Sequence, residues 1–145
     1  MTALEGEALI SASGDGAILR IDHPISFWGG VDPKTARITD PRHPRHGACL
    51  TGHVVAIAEL RGSSSSSAVL LELIHAKIAP AAILLQETDA ILALGALVAR
   101  EMGYGDLAMV RLSPDDFALL SEGRHARVEG ARVTLGRSSG VSDDR

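Results

Sequence analysis

Residues 53–85 constrain the fold more than any other part of the chain. The run VVAIA at 54–58 is almost continuously apolar, which suits a strand buried on both faces. It ends near Arg61-Gly62, five consecutive serines follow at 63–67, and AVLLELIHAKI then places apolar side chains at Val69, Leu70, Leu73, Ile74 and Ile78. That spacing predicts an amphipathic helix with its N-cap in the serine run, stopped by Pro80. AAILLQ reads as a second buried strand. Strand, Gly-Ser turn, helix and strand make a βαβ unit, which implies an α/β fold with a parallel sheet.

The flanking segments are read against this unit. In residues 7–22 the apolar stretches 8–10 and 17–21 lie either side of SASGDG, where Gly14 and Gly16 bracket Asp15; this reads as strand, turn, strand. HPISFWGGVDPKTARITDPRHPRHG is dense in proline, glycine and Asx, too polar for core and too long for a simple connector, which predicts a functional or partner-covered loop. DAILALGALVAREM at 89–102 has helical composition but contains Gly95, so helix and short strand compete. Residues 107–112 predict a strand, Ser113-Pro114 opens a short helical turn, and 126–135 form a closing hairpin turning at Glu129-Gly130. At 145 residues the chain is one domain, taken as 1–136, with a disordered tail at 137–145. A chain this long buries about two-thirds of its unfolded surface and needs no disulfide or metal to hold a core.

Composition narrows the function classes. The single cysteine, Cys49, permits no internal disulfide and cannot alone ligate an iron–sulfur cluster or a structural zinc, so no metal is assigned to this chain and a reducing compartment is expected. MTALEGEALI has acids and no basic region, and no apolar run approaches the ~20 residues of a membrane span, so the expected location is cytoplasmic, with no membrane partner. A net charge of −4, lysines only at Lys34 and Lys77, and no basic stripe with interleaved aromatics argue against nucleic acid.

Three groups of residues could carry chemistry. The first is Arg61-Gly62 with Ser63, Ser64, Ser65, Ser66 and Ser67, at the junction of a buried strand and a helix. Backbone N–H groups and hydroxyls at the positive end of a helix, beside a guanidinium, favour a bound carboxylate or phosphate. They would also stabilise the alkoxide that a serine must become to accept a proton. The plain alternative is a flexible serine linker; its position wedged between strand and helix favours the site. The run is neither a Walker A loop nor a dinucleotide fingerprint, because GK[ST] and GxGxxG are both absent. The second group is Phe27, Trp28, Gly29 and Gly30: two rings in a polar loop suggest a surface covered by substrate or another subunit, and the alternative is a loop folded onto its own core. The third is His43-Pro-Arg-His46, whose spacing invites a metal but whose surroundings fit a solvated or interface pair better. Cys49 reads as a packed residue beside a strand, and Glu72 and Asp89 as helix-surface and cap residues before general acids.

PISFWGGVDP at 24–33, Thr39-Asp40 with His43-Pro44, Arg61-Gly-Ser-Ser-Ser and Ala79-Pro-Ala-Ala-Ile83 together resemble the small subunit of aconitase X. The resemblance runs from about Gly14 to Leu112. It implies a swivelling β/β/α domain as in the aconitase C-terminal domain, and a hydro-lyase active only with a large catalytic subunit that holds iron or an iron–sulfur cluster. Family members include cis-3-hydroxy-L-proline dehydratases and mevalonate 5-phosphate dehydratases, so the implied substrate is a small carboxylate. The first of these, giving a pyrroline-2-carboxylate, is the expected one. The serine after the strand-end glycine is the family's proton acceptor, which is Ser63 here. Substrate binding then falls to Arg61, Gly62, Ser64, Ser65, Phe27, Trp28, Gly29 and Gly30. The chain has Leu60, Ser66 and Ala36 where the family commonly has glycine. The rival from another class is a non-enzymatic module that captures a small anion on the serine turn.

Overall fold

A computed structural model describes residues 2–136; the tail expected at 137–145 lies outside the described residues. Strands β1 (Thr2–Glu5), β2 (Glu7–Ile10) and β3 (Ser13–Ile21) open the chain and a kinked turn, α1 (Phe27–Gly30), follows. Then come β4 (Val54–Ile57), α2 (Ser66–His75), β5 (Ala82–Leu85), α3 (Ala90–Glu101) and β6 (Ala108–Arg111). The short α4 (Pro114–Phe117) and the hairpin β7 (His125–Glu129) and β8 (Arg132–Leu135) complete the order. The βαβ unit is present, and β3, β4, β5 and β6 run parallel in sequence order.

The sheet order is β1-β8-β7-β3-β4-β5-β6-β2. Its two ends, β1 and β2, are consecutive in the chain and separated by Gly6 alone, so the sheet closes on itself into a barrel-like form. That closure explains why VVAIA and AAILLQ carry almost no polar residue. Val54, Ala56, Ala82 and Leu84 point into the barrel interior, while Val55, Ile57, Ile83 and Leu85 pack outward against the helices. Side chains alternate across a strand, and here each face meets its own core. Helix α2 buries Val69, Leu70, Leu73 and Ile74 on the outer layer, as its spacing predicts. Full burial of side chains of this size contributes about 1.5–3 kcal/mol each.

Three expectations need correction. SASGDG is not a turn: β3 runs through both glycines and pairs with β7 across Ser13–Ala17 before joining β4. A Cβ at Gly14 would stand 2.1 Å from the Ala81 carbonyl oxygen and one at Gly16 2.3 Å from that of Gly52, so these glycines serve close backbone approach. Pro80 does not stop α2, which ends at His75 because Lys77 takes a left-handed φ of 64°. The Ile78 and Lys77 N–H groups then donate to the Leu73 and Ile74 carbonyls, a Schellman closure with lysine in the usual glycine place. The loop after β3 is not simply polar cover, since Ile25, Phe27, Val31, Ala36 and Ile38 all enter the outer core. Glu72 is exposed on α2, the helix-surface role read for it.

The competition at 89–102 resolves as helix. Asp89 caps it, its Oδ1 accepting the Leu92 N–H at 2.8 Å. Gly95 is required by packing: a Cβ there would lie 2.5 Å from the Ser67 carbonyl oxygen of α2. Ala36, at one of the positions commonly glycine in the family it resembles, has a φ of 62° and is wholly buried. β1 has no counterpart in the sequence reading.

Candidate functional site

The site forms where the parallel strands end, the edge at which open α/β sheets place their ligands. Beyond β3 and β4 the chain keeps a short ladder: Ile25 N–H donates to Glu59 O at 3.2 Å, and Arg61 N–H to Ile25 O at 2.8 Å. This register sets Arg61 beside the aromatic loop, although the two are far apart in sequence. The serine run then turns into α2. Ser63 accepts twice within that turn, through its carbonyl from Ser66 N–H at 3.0 Å and through Oγ from Ser65 N–H at 3.3 Å. An N–H aimed at Ser63 Oγ at a helix N-terminus stabilises negative charge on that oxygen.

Phe27 and Trp28 take opposite fates. Phe27 is 0% exposed and anchors the loop in the outer core, whereas Trp28 is 60% exposed. The backbone around the indole is held from several sides. Trp28 N–H donates to Ser66 Oγ at 3.3 Å, Thr39 Oγ1 to Gly29 O at 3.3 Å, and Thr39 N–H to Gly30 O at 2.9 Å. Gly29 lies at φ 80°, a left-handed conformation suited to glycine.

Trp28, Gly29, Gly30, Thr39, Asp40, Arg42, His43, His23 and Arg61 are among the residues lining a concavity of about 670 Å³, a size that suits a small ligand. Three separate segments thus meet in one pocket. Of the sequence-predicted residues, Arg61, Trp28, Gly29 and Gly30 line it; Phe27 lies beneath, and Gly62, Ser63, Ser64 and Ser65 continue from Arg61 outside its lining. Sequence reasoning gives no site role to His23, Thr39, Asp40 and Arg42, and reads His43 with His46 as a solvated or interface pair, whereas His43 is buried at the pocket wall. Thr39-Asp40 and His43 carry part of the family resemblance, but nothing local marks Arg42 or His23.

Arg42 Nε lies 3.8 Å from Asp40 Oδ1, and Arg61 is exposed with no ion pair among the described residues. Two arginines and one aspartate line the pocket, a net positive charge that favours an anion. His43 is buried: its Nδ1 accepts Arg45 N–H at 3.0 Å and its Nε2 meets His23 O at 3.3 Å, while His46 is exposed. Among the described residues no three His, Cys, Asp or Glu side chains are grouped to hold a metal ion, so the residues present do not fit a metal or cluster. Cys49 lies outside the pocket, half-buried, with Sγ 3.4 Å from Thr51 Oγ1. Hydrogen bonding with the Thr51 side chain lowers its pKa, burial opposes this, and the Thr51 backbone and the Arg37 charge lower it further. No helix among the described residues is long and apolar enough to cross a membrane.

Fold and site together define a class: a small α/β domain with a barrel-like sheet that presents a cationic, ligand-sized pocket and a helix N-terminus on one edge. A family model described as the aconitase X swivel domain matches residues 3–136, and the chain belongs to that family. A cis-3-hydroxy-L-proline dehydratase of Pseudomonas aeruginosa is 44% identical over 131 residues, covering 90% of this chain and 22% of that protein. The chain therefore spans less than a quarter of that relative. The phosphomevalonate dehydratase small subunit of Pyrococcus furiosus is 33% identical over 129 residues, covering 89% of this chain and 90% of that one. The crystal structure of Thermococcus kodakaraensis aconitase X in its holo-form superposes with a TM-score of 0.84 at 27% identity, over 94% of this chain and 100% of the matched chain.

Proposed function

We propose that this chain is the small subunit of a dehydratase that removes water from cis-3-hydroxy-L-proline, working with a large aconitase X subunit. Ser63, as its alkoxide, takes the α-proton, the C–H electrons form the new double bond, and the 3-hydroxyl leaves as hydroxide, which takes a proton from solvent to become water. Arg61 and the α2 N-terminus hold the substrate carboxylate as negative charge spreads onto it. Gly62, Ser64 and Ser65 complete the turn around that carboxylate. Trp28, Gly29 and Gly30 form the pocket wall on the other side, and Phe27 supports that wall from the core. The large subunit carries iron or an iron–sulfur cluster; the steps assigned to this chain are its own, binding the carboxylate and accepting a proton.

The observation that carries this reading is the 44% identity, over 90% of this chain, to a relative named for that reaction. A second reading rests on a different observation. A relative matched over 90% of its own length is a phosphomevalonate dehydratase small subunit, and the same cationic pocket suits a phosphate. Co-expression with a large aconitase X subunit, followed by assay of both substrates, tests the two. Turnover of cis-3-hydroxy-L-proline alone is the expected result, turnover of mevalonate 5-phosphate alone selects the second reading, and turnover of neither overturns both.

A further inference from the structure

We infer that Ser66 is a positioning residue that locks the Trp28 loop to the Ser63 turn, so that the pocket wall and the proton-accepting hydroxyl move as one body. The geometry lies in one residue. Through its side chain Ser66 accepts the Trp28 N–H at 3.3 Å, and through its backbone it donates to the Ser63 carbonyl at 3.0 Å. Its side chain is therefore bonded to one element of the site and its main chain to the other. Ser66 is only 5% exposed, one of two buried polar or charged residues among those described, so water is poorly placed to substitute for its hydroxyl.

The Trp28 N–H depends on this acceptor. Trp28 has ψ 115°, which takes it out of the helical turn. The turn is closed around it by Val31 N–H on Phe27 O instead. Phe27 fixes the preceding residue in the core and Thr39 fixes the two that follow, but neither refers the indole to the serine turn. Ser66 alone among these contacts supplies that reference. Its catalytic consequence rests on the dehydratase reading above; the structural link does not.

Trp28 is the only tryptophan, so its emission reports this loop without ambiguity in the full chain. Ser66→Ala should speed the local component of the Trp28 anisotropy decay and increase acrylamide quenching, and Ser66→Thr should restore both. Ser113→Ala removes another helix-start hydroxyl, which accepts the Asp116 N–H outside the pocket lining, and should leave both signals unchanged. In the complex with the large subunit, Ser66→Ala should lower kcat about 10- to 100-fold with a smaller change in KM, the signature of misplacement. The threonine variant should recover most of it. Wild-type anisotropy in a folded Ser66→Ala chain overturns the link, as does a threonine variant that behaves like alanine. If the wild-type complex turns over neither substrate, the dehydratase reading fails and the anisotropy result still decides the link.

Discussion

Replacing Ser63 with alanine separates a chemical role from a structural one, because the structure bounds the structural cost. Among the described residues Ser63 Oγ makes one hydrogen bond, accepting Ser65 N–H at a long 3.3 Å. Ser65 is only half-buried, so water can take that N–H when the hydroxyl is gone. The loss should therefore fall at the low end of the range for a helix-start hydroxyl, about 0.5–2 kcal/mol. The Ser63 carbonyl that accepts Ser66 N–H is untouched by the change. A positioned proton acceptor typically contributes about 10²–10⁴ in rate, equivalent to about 2.7–5.5 kcal/mol of barrier. Urea denaturation of the full chain measures the first quantity, and kcat of the complex with cis-3-hydroxy-L-proline measures the second. The expected outcome is a small shift in the midpoint, a loss of two or more decades in kcat, and a nearly unchanged KM, since the carboxylate contacts remain. A Ser63→Ala complex with near wild-type kcat refutes the assignment. If Ser64→Ala is then the inactive variant, the base is the next residue; if neither matters, the turn only clamps an anion and the proton acceptor lies on the large subunit.

Two further outcomes follow from the packing. Phe27→Ala should cost about 3–5 kcal/mol in chemical denaturation, because the ring is wholly buried. Trp28→Ala should leave that midpoint almost unmoved while raising KM, so equal destabilisation by the two would contradict the division of roles between adjacent rings. Gly95→Ala should lower Tm although alanine is the better helix former by about 1 kcal/mol. Its Cβ would meet the Ser67 carbonyl at 2.5 Å and force α3 away from the serine run, an overpacking cost of about 1–3 kcal/mol. A raised Tm would show that the two helices can part freely.

The βαβ unit was legible because its signals are short-ranged. Apolar continuity at 54–57, the spacing of Val69, Leu70, Leu73 and Ile74, and Ser113-Pro114 at a helix start each act within a turn or two of backbone. Arg61 and the serine turn stood out for the same reason, since a strand-to-helix junction places N–H groups at one point whatever surrounds it. The glycines mark where such reading stops. Gly14, Gly16 and Gly95 look like turn formers or helix breakers in isolation, but each is small because another backbone passes within van der Waals reach of its Cα. The choice between Phe27 and Trp28 is of the same kind: two adjacent rings have equal local claim to burial, and the outer core takes Phe27 and leaves Trp28 60% exposed. The sequence by itself determined the local elements and the chemistry available at their junctions. Only the tertiary structure decided which backbones touch, which ring is exposed, and that His23, Arg42 and Arg61 share one pocket, because those outcomes depend on contacts between segments whose separation along the chain carries no periodic trace.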